Sequence, residues 1–222
     1  MLKIGLTGGI GSGKSEVSNF LQSWGAYIFD ADKEAKNIIN NNYDAQKEII
    51  KEFGSDVIDP NQNINKQKLA RIAFQDEFHQ QTLNAIVHPY VFKKIDNSFK
   101  KIKIENKHNC FVVDAALIYE SGADTHMDYV IVISSLIRYR TERVMSKNNI
   151  TREDFLKRVS LQWSDEDKES MADYIIQNNS DLENLEKEAN RIISKLPKMT
   201  PGKQRGRPVR VPFSIPVTFK LN

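Results

Sequence analysis

The sequence predicts an α/β fold, a doubly wound parallel sheet of five strands covered by helices. Short apolar runs alternate with longer amphipathic segments along most of the chain, which is typical of such a sheet. The segment GLTGGIGSGKS directly follows the first apolar run and precedes a helix-compatible stretch, as expected of a P-loop NTPase. The length of 222 residues is about 1.5 times that of a typical domain, which allows one α/β core with an added subdomain.

The predicted strands are short runs of apolar residues separated by helical patterns. In chain order they are Leu2 to Thr7, Tyr27 to Asp30, Cys110 to Ala115, Tyr129 to Ile133 and Tyr174 to Ile176. The last helix is predicted from apolar residues at helical spacing between Leu182 and Leu196, with Pro197 as its stop signal.

Two helical segments interrupt this core. About eighty residues, mostly helical in pattern, separate the second and third strands, too many for an ordinary crossover. Between the fourth and fifth strands, Thr151 with Asp154 and Ser164 with Asp167 resemble capping boxes that start two helices. We therefore expect four parts: a nucleotide-binding core of residues 1–33, 109–135 and 172–197, a helical insertion at 34–108, a helical lid at 136–171, and a tail at 198–222.

The tail differs in composition from the rest of the chain. Five of the seven prolines lie from Pro197 onward, and six basic residues but no acidic ones lie from Lys198 onward, so we expect little fixed structure there. The whole chain carries a net charge of +3, whereas residues 1–197 carry −3. This gives little support for a nucleic-acid-binding protein, because binding to the phosphate backbone needs clustered cations.

The remaining composition narrows the class of protein. A hydrophobic content of 40% with 27% charged residues is that of a globular protein and excludes disordered and fibrous classes. The single Cys110 excludes an intramolecular disulfide and a multi-cysteine zinc site. No apolar stretch approaches the roughly 20 residues of a membrane span, and the N-terminus lacks a signal-peptide pattern. We expect a cytoplasmic protein with no membrane partner, and a monomer is favoured.

The strongest motif is the phosphate-binding loop G-x-x-x-x-G-K-[ST]. Its glycines let backbone N–H groups converge on a phosphate chain, and the following helix adds the positive end of its dipole. Lys14 is expected to reach the β- and γ-phosphates, and the Ser15 hydroxyl to bind Mg²⁺. The predicted nucleotide-binding residues are Gly8, Gly9, Ile10, Gly11, Ser12, Gly13, Lys14 and Ser15.

Two further features favour a kinase. The guanine-binding pattern N-K-x-D of GTPases is missing. Asp30 and Asp32 follow the second strand, so either carboxylate is a candidate to face the γ-phosphate, although Asp30 also fits a helix cap. Arg140, Arg143 and Lys147 share one helical face, which next to a triphosphate favours phosphate binding over a solvated surface.

His88 precedes Pro89 at the end of an apolar helical pattern. Because proline disfavours helical geometry at the preceding residue, we expect the helix to end here. On its own, a histidine at such a position is more often a helix-end residue than a ligand.

Taken together, the motifs resemble the dephospho-CoA kinase family over about residues 2–195. They occur in the family's order: GLTGGIGSGKS, DAD at 30–32, LNAIVHP at 83–89, ALIYESG at 116–122, ITRE at 150–153, Gln162, and ADYIIQNN at 172–179. The resemblance implies a nucleoside-monophosphate-kinase-like core with a CoA-binding insertion and a lid. It implies ATP and Mg²⁺ as cofactors and transfer of the γ-phosphoryl group to the ribose 3′-hydroxyl of dephospho-CoA.

The resemblance also implies roles for individual residues. Asp32 is the expected base or orienting group for the 3′-hydroxyl, Lys14 contacts phosphate, and Ser15 contacts Mg²⁺. The expected lid cations are Arg143 and Lys147, and the expected acceptor-pocket residues are His88, Leu117 and Glu120. The chain departs from the family pattern where Lys147 and Lys66 replace usual arginines, Ala116 a usual proline and Arg140 a common glutamine. Lysine keeps the charge but loses bidentate phosphate geometry.

Two alternatives remain open at the level of sequence. Another P-loop kinase, acting on a nucleoside monophosphate or a shikimate-like acceptor, would share the loop and the lid. A nucleotide-regulated protein that binds RNA or a membrane surface through its basic tail would use Phe213 and Phe219 beside the tail's cations.

Overall fold

The computed structural model describes residues 1–61, 63–73, 75–148, 150–196, 203–204 and 207–208. Within them, five parallel strands form one sheet in the order β2-β3-β1-β4-β5. The strands are β1 (Leu2–Thr7), β2 (Tyr27–Asp30), β3 (Cys110–Asp114), β4 (Tyr129–Ser134) and β5 (Tyr174–Gln177). The predicted fold is confirmed, and each predicted strand agrees with the structure to within one residue.

Strand order places the phosphate-binding loop at the centre of the sheet. β1 lies between β3 and β4, and from β1 the strand order proceeds toward both edges of the sheet. The loop that follows β1 therefore leaves the sheet at the point where the strand order reverses. Ligands of open α/β sheets bind at such a switch point, beyond the carboxyl ends of the strands. In register, Asp30 of β2 pairs with Asp114 of β3, which brings two acidic strand ends beside the loop.

Helices cover both faces of the sheet. On one face, α1 (Lys14–Ser23) and α9 (Leu182–Ile193) pack against apolar residues that include Ile4, Val112 and Ile176. On the other face lie α2 (Ala31–Asn41), α3 (Tyr43–Phe53), α4 (Lys66–Ala73) and α5 (Glu77–Glu105). Side chains of β3 alternate between the two faces of the sheet, so Phe111 and Val113 point to the second face and Val112 points to the first.

The helix α5 corrects one prediction. His88-Pro89 does not end a helix, since α5 runs for 29 residues with Pro89 inside it. Pro89 removes one backbone hydrogen bond, but Val87 and Val91 on either side are buried in the core. The burial of this apolar stripe outweighs the local preference of the residue before proline.

Three helices follow β4: α6 (Ile137–Asn148), α7 (Arg152–Val159) and α8 (Asp165–Met171). Both predicted helix starts are confirmed, because the Thr151 hydroxyl accepts from the backbone N–H of Asp154 and Ser164 does the same for Asp167. We refer to residues 136–171 as the α6–α8 segment.

The tail is described at four residues, where Lys203–Gln204 pairs with Arg207–Pro208 in a short antiparallel ladder. The rest of it lies outside the described residues, so the expectation for its structure stays a prediction. Among the helices of the described chain, none combines the length and the apolar character needed to cross a membrane.

Candidate active site

The phosphate-binding loop curves around a cavity of about 860 Å³, the phosphate-loop cavity. All eight predicted nucleotide-binding residues line it. Gly13 has a φ of 98°, in the left-handed region, and a Cβ there would lie 2.2 Å from Nδ2 of Asn178. That amide donates to the carbonyl of Ser12 at 2.7 Å. Only glycine fits this turn, which aims the N-terminus of α1 at the cavity.

Lys14 lies between two carboxylates. Its Nζ forms an ion pair with Asp114, the last residue of β3, and lies 3.5 Å from Oδ2 of Asp32. Asp114 also accepts a hydrogen bond from the Ser18 hydroxyl of α1 and is buried. The sequence analysis missed Asp114, although an acidic residue closing an apolar run beside β1 is the same signal that singled out Asp30.

The two acidic residues after β2 have different places. Asp30 caps α2, because its carboxylate accepts from the backbone N–H of Lys33 at 2.8 Å. Asp32, on the first turn of α2, accepts from the N–H of Ala116 at 3.2 Å and keeps 45% of its side chain exposed. Of the two candidates, Asp32 is therefore the one that faces the phosphate-binding loop.

A second and larger cavity of about 1270 Å³, the acceptor cavity, also has Asp32 in its lining. Asp32, Ala116 and Gln162 line both cavities. Leu117 lies in the acceptor cavity together with four basic residues, two from α4 and two from α7: Lys68, Arg71, Lys157 and Arg158. A negatively charged molecule bound by these side chains would lie in the same cavity as Asp32.

His88 and Glu120 line a smaller adjoining cavity of about 410 Å³, which shares Gln80, Leu117 and Gln162 with the acceptor cavity. Burial lowers the pKa of His88, and the nearby charge of Asp32 opposes this effect. Glu120 forms an ion pair with the buried Lys168 at 2.8 Å. The structure thus places the predicted acceptor residues next to the acceptor cavity, with Glu120 tied to α8.

The predicted basic face of α6 is divided in the structure. Arg143 lines the phosphate-loop cavity, and its guanidinium donates to Ser135 Oγ at 3.1 Å and to the carbonyl of Asn178 at 3.0 Å. Arg140 is buried, forms an ion pair with Asp165 and does not line the phosphate-loop cavity, so the prediction that it binds phosphate together with Arg143 and Lys147 is wrong. Lys147 lies one helical turn beyond Arg143, and its side chain is outside the described part of the chain.

The oxygen donors around the loop suit Mg²⁺, which prefers hard oxygen ligands and keeps few protein contacts. The exposed Ser15 hydroxyl and the Asp32 carboxylate both line the phosphate-loop cavity. Asp114 forms an ion pair with Lys14, which lines the same cavity. Among the described residues, no three His, Cys, Asp or Glu side chains are grouped to hold a metal. A magnesium ion here would take most of its ligands from phosphate and water.

Comparison with known proteins gives a consistent result. A family model described as dephospho-CoA kinase matches residues 2–184. The dephospho-CoA kinase of Fusobacterium nucleatum is 39% identical over 85% of this chain and 95% of its own length. That of Aquifex aeolicus is 33% identical over 88% of this chain and 98% of its own.

Solved structures agree with these matches. The protein TT1252 from Thermus thermophilus superposes with a TM-score of 0.74 at 28% identity, covering 88% of this chain and 98% of its own. The dephospho-CoA kinase from Campylobacter jejuni gives 0.63 at 27% identity, covering 87% and 96%. A second family model, described as the C-terminal part of the Gram-negative bacterial TonB protein, matches residues 158–221, a minority of the chain.

Proposed function

The chain belongs to the dephospho-CoA kinase family, and we propose that Asp32 is the group that takes the proton from the ribose 3′-hydroxyl of dephospho-CoA as ATP phosphorylates it. The enzyme is a phosphotransferase that performs the last step of coenzyme A biosynthesis. The assignment of roles to residues rests on one observation, the position of Asp32 in the wall shared by the phosphate-loop cavity and the acceptor cavity.

Two substrates that occupy these cavities meet at Asp32. The nucleotide's phosphates fill the loop next to Lys14, whose Nζ is already within 3.5 Å of the Asp32 carboxylate. The acceptor occupies the acceptor cavity with its hydroxyl toward the same carboxylate. Phosphoryl transfer needs little covalent chemistry from the protein, so positioning of this kind supplies much of the rate.

The reaction then proceeds by in-line displacement. The 3′-oxygen bonds to the γ-phosphorus, the bond from that phosphorus to the β–γ bridging oxygen breaks, and ADP leaves. The hydroxyl proton passes to Asp32, which its partial exposure allows it to release to water. Lys14 and Arg143 stabilise the negative charge that spreads over the phosphoryl oxygens.

Mg²⁺ would be held by Ser15 with Asp114 or Asp32 nearby, and would supply neutralisation of the phosphate charge. In the structure Lys14 forms an ion pair with Asp114. Phosphates bound in the loop would compete with Asp114 for Lys14.

The lining of the acceptor cavity fits dephospho-CoA. This acceptor carries a diphosphate, and four basic side chains from α4 and α7 line the cavity, beside the acidic Asp56 and Asp154. Arginine and lysine are the residues that bind phosphate groups at such sites. We infer that residues 34–108, predicted to bind the acceptor, are joined in this by residues 136–171, predicted only as a lid; the division into these parts stays a prediction.

The decisive test compares two aspartates that are two residues apart. Replacing Asp32→Asn removes the proton acceptor, so we expect kcat to fall about 10²- to 10⁴-fold, with the KM for ATP changed by less than about threefold. Replacing Asp30→Asn keeps the cap of α2, because asparagine is as good an N-cap as aspartate, and we expect kcat to stay within about twofold.

The rates are measured with ATP, Mg²⁺ and dephospho-CoA, and the product is identified by mass spectrometry as the 3′-phosphoester. An Asp32→Asn enzyme with unchanged turnover would remove Asp32 from the mechanism. Including nucleoside monophosphates and shikimate as acceptors distinguishes the alternative of another P-loop kinase. The monomeric state and the cytoplasmic location stay predictions.

A further inference from the structure

Both backbone polar groups of Ile10, in the phosphate-binding loop, are held by the α6–α8 segment. The Ile10 N–H donates to Oε1 of Gln162 at 3.1 Å. The Ile10 carbonyl accepts from Nε of Arg140 at 2.8 Å. One residue of the loop is therefore fixed from two sides by side chains that lie more than 120 residues away in sequence.

Arg140 also connects the loop to α8. Its Nη1 forms an ion pair with Asp165, the first residue of α8, which lies three residues after Gln162. The contacts thus close a circuit that runs from Ile10 through Arg140 and Asp165 to Gln162 and back to Ile10. A planar guanidinium presents donors in fixed, diverging directions, so a single side chain can hold both a carbonyl and a carboxylate.

The Arg140 side chain is buried against the phosphate-binding loop. Arg140 is 1% exposed and is among the largest fully buried side chains of the described residues. A Cβ on Gly9 would lie 2.4 Å from its Nη2, so the loop backbone approaches the guanidinium as closely as glycine permits. Burial lowers the pKa of Arg140, while the charge of Asp165 opposes this. A buried charge of this kind is tolerated because it is paired.

The position of Gln162 connects these contacts to the cavities of the site. Gln162 lines the phosphate-loop cavity, the acceptor cavity and the smaller cavity of His88. Its side chain is held by Ile10, and its backbone is held near the loop by the Arg140–Asp165 pair three residues on. The Arg140–Asp165 ion pair therefore also helps to hold Gln162, a polar side chain that lines all three cavities.

We propose that Arg140, through its ion pair with Asp165, is a positioning residue that sets the phosphate-binding loop and the α6–α8 segment in register for the nucleotide. The proposal rests on the proposed function only for the nature of the reaction, since nucleotide binding to the loop is required of any P-loop kinase. Arg140 acts through Ile10 and Gln162 and does not touch the phosphates itself, because it does not line the phosphate-loop cavity.

The test is a double-mutant cycle read out by ATP binding. Arg140→Met keeps the buried volume but removes every donor, so we expect the Kd for ATP, measured by calorimetry without acceptor, to rise about tenfold. Asp165→Asn keeps the shape but weakens the pair, and we expect about a threefold rise. The double variant should bind ATP no more weakly than Arg140→Met alone, because Asp165 then has no partner to hold.

Kinetics separate positioning from a merely structural role. In Arg140→Met we expect the KM for ATP to rise about tenfold and the KM for dephospho-CoA to rise less, because Arg140 contacts the phosphate-binding loop directly and affects the acceptor cavity only through Gln162 and its segment. Arg140→Lys keeps the charge but not the fork, so its KM for ATP should lie between those of the wild type and Arg140→Met. As a control, Arg191→Gln breaks the exposed ion pair with Glu188 on α9 and should leave both constants unchanged.

Two results would overturn the proposal. One is an Arg140→Met protein that unfolds cooperatively and binds ATP with wild-type affinity. The other is a double variant whose loss equals the product of the two single losses, which would mean that the two residues act independently. Because ATP binding is measured without acceptor, failure here is distinct from failure of the proposed acceptor chemistry.

Discussion

At the scale of single residues, position on a turn decides the role of a side chain. Asp30 and Asp32 have the same chemistry, and both follow β2, so the sequence left open which of them faces the phosphate. The structure separates them, because Asp30 bonds the backbone of its own helix whereas Asp32 bonds Ala116 across the site. Local hydrogen bonding by aspartate at a helix start competes with function, and only three-dimensional contacts decide between the two.

His88 carries a prediction about pH. Its pKa is lowered from the usual 6.5 by burial, so the folded protein resists protonation that the unfolded chain accepts. The unfolded state then binds more protons as the pH falls below about 6.5, and the free energy of unfolding decreases over that range. We expect a His88→Asn variant to lose less stability between pH 7.5 and pH 5.5 than the wild type does.

Urea unfolding at the two pH values measures this difference. Equal losses in both proteins would show that the ring of His88 is protonated as readily in the folded state as in the unfolded chain. The variant's KM for dephospho-CoA, measured at pH 7.5, reports whether the neutral ring also contributes to the acceptor site.

The residues that sequence reasoning missed share one property, which is dependence on distant partners. The phosphate loop was predicted in full because its chemistry is written in consecutive residues. Asp114 had a signal, an acidic end to the apolar run of β3, but its pairing with Lys14 joins residues 100 positions apart. The pairing of Arg140 with Asp165 had none, since spacing on α6 indicated only a shared face.

At the scale of elements, the helix α5 shows where local rules give way to packing. The caps at Thr151 and Ser164 were predicted correctly because a cap is a contact between residues three apart. The end of a helix at His88 was predicted wrongly because the rule for proline takes no account of the core on which Val87 and Val91 pack. Long-range burial of an apolar stripe overrode a local preference.

Pro89 therefore carries a prediction of its own. Inside α5 it lacks the N–H that would bond to the preceding turn, and its exposed ring adds no core packing. We expect Pro89→Ala to raise the free energy of unfolding by about 1 to 3 kcal/mol. Urea denaturation measures the change, and a decrease would instead mean that the packing of α5 depends on Pro89.

At the scale of the whole molecule, the three hydrophobic clusters of the described residues and the site lie within the first 196 residues. The division into core, insertion, lid and tail was proposed from length and composition, and it stays a proposal for every part of the chain. Removing residues 198–222 changes the net charge from +3 to −3. This provides a direct test of what the tail contributes.

We expect a chain that ends at Pro197 to keep kcat and both KM values within about twofold, because no described site residue is removed. Binding to a polyanion such as heparin should weaken strongly and lose its salt dependence. A truncated enzyme that no longer phosphorylates dephospho-CoA would contradict this expectation and assign the tail a part in the reaction.

One consequence follows from the wall of Asp32, Ala116 and Gln162 that separates the two cavities. Because the same three residues line both cavities, molecules bound in the two cavities lie next to each other. A single inhibitor that tethers an adenosine polyphosphate to a CoA-like nucleotide would fill both chambers at once, and the tether would gain from effective concentration what neither half achieves alone. Selective blockade of this enzyme is therefore better sought in bridging compounds than in competitors of ATP.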